Sequence, residues 1–259
     1  MKIRNIAVIV AAIGISAVFI SCRSLPHIRG NGDMVTSERS VSAFEKMQII
    51  GSVVINYHAS QEYRAVVTVD SNLEEYTRVY TEGDTLKIGT KNGKSYSFTK
   101  YIVDVYCPKL NAVSVSGSVR FNGMDKISTS TFALGVSGSA KINGAFECEN
   151  FTARISGSGE IESHIECNKF EVDISGSGEI AVSGAAKETS VSVSGSATFT
   201  GNEFQTNNAI IDISGSGSIH IWVLDYLKAR VSGSGRVTYR GNPKIDYSGS
   251  GSGSIKSEA

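Results

Sequence analysis

Neither charge sign prevails in this chain: 25 basic residues face 25 acidic ones over 259 positions. Without a basic excess no phosphate-tracking surface is expected, and nucleic acid is excluded as a partner. Histidine is scarce, and His27, His58, His164 and His220 fall at unrelated phases of the pattern described below, which reads them as surface residues. The four cysteines lack the clustered short spacings of a zinc centre, so no metal site is expected. No 3.6-residue apolar period occurs, which excludes a helical array. The Gly-Ser-Gly runs lack the third glycine and the following helix of a dinucleotide fingerprint, so no cofactor is implied. The one long uncharged apolar run, residues 6–20, is short for a membrane-spanning helix.

What the chain has in abundance is glycine, 27 residues against 3 prolines. Much of it sits in seven copies of Ser-Gly-Ser centred on Gly117, Gly138, Gly157, Gly176, Gly195, Gly215 and Gly233. A fixed period of about nineteen residues is the mark of a stacked solenoid, in which each turn buries its apolar face against its neighbours. Two residues before each glycine stand Val115, Val136, Ile155, Ile174, Val193, Ile213 and Val231; the positions four before and four after are also wholly apolar. The residues between are Ser114, Gly135, Arg154, Asp173, Ser192, Asp212 and Arg230. Each copy thus alternates with the period of two that belongs to a strand. The expected unit is strand, Gly/Ser corner, strand, stacked into an all-β parallel β-helix. Glycine would let the corner bend with positive φ, and serine would bond neighbouring backbone groups there.

The regular rungs are expected over 111–256, with Ser248 to Ser254 as a loose cap or tail. Over 41–110 the pattern is fainter. Gly51-Ser52 repeats the spacing, so the coil begins there, and Tyr63–Val69, Arg78–Tyr80, Thr85–Ile88 and Tyr101–Tyr106 read as strands of an irregular N-terminal β cap. Leu73–Tyr76 reads as one helical turn, and Asn92-Gly93 as a hairpin turn. Residues 22–40, polar and aperiodic around Gly30-Asn31-Gly32, read as a flexible tether.

At the N-terminus Lys2 and Arg4 precede the apolar run, and small Ser21 precedes Cys22, so residues 1–21 read as a secretory signal peptide. Without it the basic count falls by two to 23, against 25 acidic residues. The tail Phe19-Ile20-Ser21-Cys22 resembles a bacterial lipobox, with Phe19 in place of the usual Leu. That resemblance implies lipidation at Cys22 and a membrane as partner, with the protein lipid-anchored in the cell envelope, at the outer membrane, facing either the periplasm or the outside. An ordinary cleaved signal and an uncleaved anchor are the alternatives.

The run Met47–Tyr57, the stretch Tyr63–Thr90 ending in Gly83-Asp84-Thr85-Leu86-Lys87-Ile88, the Ser-Gly-Ser-Gly repeats and the closing Tyr239-Arg240-Gly241-Asn242-Pro243-Lys244 resemble the head GIN domain family over about residues 41–256. The family carries the label "putative auto-transporter adhesin" and is common in lipoproteins of Bacteroidetes-type bacteria. The resemblance implies a right-handed single-stranded parallel β-helix and transfers no catalytic residue.

Cys148 and Cys167 both lie nine residues before their glycine, which places them on adjacent rungs, either as a disulfide or as stacked thiols. Cys107 has no partner by this spacing. Among outward acids, Glu160 and Glu179 should stack, with Glu162 nearby; they are the best candidates for a cation or a catalytic pair, weighed against a solvated face. Arg154 and Asp173 read as a surface ion pair. The corner serines repeat identically at each turn, which speaks for architecture rather than nucleophilic catalysis. The expected function is therefore a non-enzymatic, lipid-anchored envelope protein whose flat faces bind a glycan, a matrix component or a surface protein. The alternatives are a β-helical polysaccharide lyase or hydrolase, and a purely structural envelope component. Oligomeric state has no signature in this pattern.

Overall fold

The computed structural model describes residues 26–258, so residues 1–21, read above as a signal peptide, and Cys22 lie outside the described residues. Its strands, in chain order, are β1 (His27–Arg29), β2 (Met34–Arg39), β3 (Lys46–Ala59), β4 (Arg64–Asp70), β5 (Thr77–Glu82), β6 (Thr85–Thr90), β7 (Ser95–Ser97) and β8 (Tyr101–Cys107). They continue as β9 (Ala112–Gly123), β10 (Ile127–Gly157), β11 (Glu160–Gly176), β12 (Glu179–Gly195), β13 (Thr198–Gly215), β14 (Ser218–Gly233), β15 (Arg236–Arg240), β16 (Lys244–Gly251) and β17 (Ser254–Ser257). From β3 onward the long strands pair in parallel, each with the next turn of the chain, to give a solenoid of about eight turns. No helix among the described residues is long and apolar enough to cross a membrane.

The alternation read from the sequence is the alternation of burial. Val172, Ile174 and Ile180 point inward, while Asp173 and Ser175 between them do not. Parallel pairing without register slip sets Val172 on Val191 and Ile174 on Val193, so these two columns stack like on like. Each fully buried Val or Ile contributes roughly 1.5–3 kcal/mol before entropy is subtracted. Phe132, Phe151 and Phe170 form a ring ladder inside the coil, with centroids 5.6 and 5.5 Å apart. At the next rung the position is Thr189, whose hydroxyl donates to Thr206 at 2.9 Å, and Thr206 donates onward to the Asn208 carbonyl. This buried threonine pair is thereby satisfied.

The Ser-Gly-Ser corner holds two constraints at once. Gly176 has φ +135°, and a Cβ built there would stand 2.5 Å from the carbonyl oxygen of Gly157 on the rung before. Positive φ alone makes glycine favourable; the close approach makes it necessary. The same column runs from Gly51 through Gly251. Serine plays a different part from the one expected. The backbone N–H of the residue after the glycine, as in Ser177 to the Gly157 carbonyl at 3.1 Å, carries the ladder round the corner, and the hydroxyls stay outside.

The first full rung, β3, is covered over its two halves by β6 and β8. There the pairing changes sense: β8 pairs antiparallel with β4, β4 with β2, and β6 with β5. This is the irregular N-terminal cap. The helical turn is a 3-10 helix over Ser71–Tyr76. The hairpin lies at Gly83-Asp84, between β5 and β6; Asn92-Gly93 forms a turn that leads into β7, which pairs in parallel with β1.

The segment expected to be a flexible tether is ordered in its latter part. Its β2 pairs with β4 from Met34–Asp70 to Arg39–Ala65. The cause is Asp70, a buried carboxylate that accepts the N–H groups of Gly32 and Thr99, both at 2.8 Å, and so ties this segment to the cap. Burial alone would raise its pKa, but the backbone N–H donors Gly32, Thr99 and Lys100 outweigh it and hold the carboxyl below its ordinary value. Nor is Ser248–Ser254 a loose tail. Tyr226–Gly233 of β14 pairs with Lys244–Gly251, and β15 with β17, which gives a last rung whose glycine Gly251 still sits in the corner column.

Candidate functional site

Outward residues just before the corner stack into a shallow groove of about 950 Å³ running along the solenoid. It extends over eight rungs, from Ser114 to Ser248, or about 34 Å at ~4.8 Å per rung. Its lining sets the serine that precedes each corner glycine, such as Ser156, Ser175 and Ser194, beside Ile155, Ile174 and Val193; most of its surface is carbon, and the serine hydroxyls are free of the backbone ladder. Along one side, register sets Arg154, Asp173, Ser192, Asp212 and Arg230 in a row. Arg154 Nε lies 3.7 Å from Asp173 Oδ2, and Arg230 Nη1 lies 3.3 Å from Asp212 Oδ1. Both pairs are exposed, so each contributes under about 1 kcal/mol to stability and is free to exchange partners with a ligand. Cation, acid, serine, acid, cation therefore line one edge of a long, mostly apolar trough that carries a serine at each rung.

The acidic candidates come together only in part. Glu160 and Glu179 stand in register, but Glu160 is tied to Lys141 and Glu162 faces Ala181 on the next rung. Among the described residues no group of three or more His, Cys, Asp or Glu side chains is gathered to hold a metal. Cys148 and Cys167 stand opposite one another in register as free thiols. Burial pushes them up to about 11 and about 12, and buried Cys107 up to about 12, so all three are neutral thiols at neutral pH.

The histidines belong to local surface arrangements. His58 stacks on Tyr106 with centroids 4.6 Å apart and His27 meets the Ser95 hydroxyl at 2.7 Å. His164 lies between the Ser183 hydroxyl, at 3.0 Å, and Glu166. His220 has the connectivity of a hydrolytic triad: Ser218 Oγ is 3.4 Å from Nε2, and Glu258 Oε1 is 3.1 Å from Nδ1. The Ser218 N–H is not free to serve as an oxyanion donor, because it donates to the Ala197 carbonyl within the strand ladder.

A second groove, of about 800 Å³, lies on the other side of the corner, where the segment following Asn92-Gly93 folds over the first rungs. Tyr96, Phe98, Lys100, Arg120 and Lys141 line it. None of these was singled out by sequence. The signal was there in part, as Ser95-Tyr96-Ser97-Phe98 alternates polar with aromatic, but nothing local shows that this stretch meets Arg120 and Lys141.

A family model described as "Putative auto-transporter adhesin, head GIN domain" matches residues 43–164 and 145–243. Two solved structures from Parabacteroides distasonis are similar over 90% of this chain and 100% of their own. One, described as a putative lipid binding protein, is 28% identical with a TM-score of 0.85. The other, described as a putative adhesin, is 26% identical with a TM-score of 0.86. A putative adhesin from Parabacteroides merdae, at 24% identity and a TM-score of 0.81, shares the fold over the same extents. The chain has no significant match among curated proteins.

Proposed function

This chain belongs to the head GIN domain family, and from that premise we propose that it is a non-enzymatic, adhesin-like envelope protein that binds an extended glycan along the serine-lined groove. The observation that carries the reading is the groove itself: some 34 Å of open trough, carbon-rich with a serine hydroxyl at each rung and charged side chains on one edge, suits a polymer of repeating units that have apolar ring faces and hydroxyl rims. A small substrate would need a closed pocket instead. The adhesin description of the family supports a place in the cell envelope, and lipidation of Cys22 would hold the protein on the membrane there.

Binding and chain cleavage are measured together on a panel of host and bacterial polysaccharides. Binding without cleavage supports the proposal, and Ser175→Phe with Ser194→Phe, which fill the trough from exposed positions, should abolish it without lowering the melting temperature. Cleavage that disappears in Ser218→Ala or Glu160→Gln would turn the assignment to a hydrolase or lyase. A lipid ligand is the second reading, favoured by the description of the 28% identical structure; retention of an acyl chain in the groove after purification, seen by native mass spectrometry, would establish it.

A further inference from the structure

We propose that the second groove, at the junction of cap and solenoid, is a binding site for an acidic polysaccharide, recognised by Lys100 and Arg120 beside the rings of Tyr96 and Phe98. The inference rests on the glycan-binding reading and adds to it the charge class of the ligand and a separate place of recognition.

The groove has three built sides. Its floor is the corner of four successive rungs, at Ser52, Ser118, Ser139 and Ser158, each presenting a hydroxyl. One wall is the segment from Tyr96 to Tyr101. Here Phe98 lies 6.1 Å from Tyr96 and 4.9 Å from Tyr101, centroid to centroid, in a chain of aromatic rings that are only partly buried at Tyr96 and Phe98. The opposite wall is an outward column in which register sets Val54, Arg120, Lys141 and Glu160 in order. Lys141 is neutralised by Glu160. Lys100 and Arg120 are exposed and have no ion pair among the described residues, so two uncompensated positive charges face the same 800 Å³.

Such a combination selects its ligand. The guanidinium of Arg120 offers paired donors to a carboxylate or sulfate. Aromatic surface beside it suits the apolar face of a sugar ring, and the serines suit its hydroxyls. The wall is also held in place, because the buried carboxylate of Asp70 accepts the N–H groups of Thr99 and Lys100, and the Tyr96 hydroxyl donates to the Lys91 carbonyl at 3.1 Å. A preformed wall spares a ligand the cost of ordering it.

The purified full chain is titrated by calorimetry with polygalacturonate, with neutral dextran, and with glycerol phosphate as an anion without a sugar ring. The expected result is binding of polygalacturonate alone, weakened by added salt and reduced at least ten-fold in the Lys100→Gln, Arg120→Gln double variant at an unchanged melting temperature. Arg120→Glu gives a second reading of the same charge should the double variant melt early, and Tyr96→Ala should weaken binding with the charges intact. Equal binding of dextran, equal competition by glycerol phosphate, no binding of polygalacturonate, or undiminished affinity in the charge variants overturns the proposal. If Ser175→Phe with Ser194→Phe abolishes glycan binding while the charge variants leave it intact, this inference fails and the function proposed above stands.

Discussion

Asp70 Oδ2 accepts the N–H of Thr99 at 2.8 Å while its other oxygen accepts that of Gly32 at the same distance. One buried carboxylate thus joins the N-terminal segment, the end of β4 and the wall of the second groove. Asp70→Ala removes these charge-assisted bonds and leaves the N–H groups of Gly32 and Thr99 without their acceptor. A loss of roughly 2–4 kcal/mol is expected, with hydrogen exchange accelerated at residues 30–40 and 96–102 and unaltered beyond β10.

The same group predicts a response to acid. Its folded pKa is depressed, so its contribution is present above the ordinary carboxylate value near 4 and is lost as pH falls through the lower folded value. Exchange at Gly32 and Thr99 should therefore rise below about pH 4 relative to the central rungs, and Asp70→Asn should flatten that dependence.

Two corner glycines separate the effects of φ and of close approach. Gly176 and Gly51 both have positive φ, but a Cβ at Gly51 meets nothing within 4 Å, whereas at Gly176 it meets the Gly157 carbonyl at 2.5 Å. Gly51→Ala should cost about 1–2 kcal/mol, and Gly176→Ala roughly 3 kcal/mol or more. Equal losses by denaturant unfolding would refute the role given to rung contact.

Ile174→Asp places a charge in a column whose members are 1–3% exposed. With no buried cation beside it, severe destabilisation is expected, to the point of poor recovery of folded protein. An unchanged melting curve would contradict the packing.

Cys148 and Cys167, stacked and held as neutral thiols, should resist iodoacetamide at pH 8 in the native protein and react on unfolding. Peptide mapping would read both states, and a recovered Cys148–Cys167 disulfide would contradict the expectation.

The solenoid was legible because it repeats: Val136, Ile155 and Ile174 recur at the same place in each copy, and a column needs no information beyond its neighbours. The cap was legible as strands but not as a fold. Its partners lie far apart in sequence, as Met34 and Asp70 do, and no local pattern announces which strand will turn antiparallel. Asp70 was not singled out by sequence, because its role depends on amide groups 38 and 29 residues away. The Arg154–Asp173 neighbourhood could be read from the period, whereas the meeting of Phe98 with Arg120 arises from a segment that folds over the corner.

The corner column also bears on how such a chain changes length over generations. Each Ser-Gly-Ser copy meets the next through the same glycine-to-glycine contact, so a whole rung can be gained or dropped over generations without a change in how corners meet. The cap and the terminal rung would be untouched, and the serine trough would lengthen or shorten by a step of about 4.8 Å. Reach along a polymer is then a quantity that heredity adjusts in whole numbers.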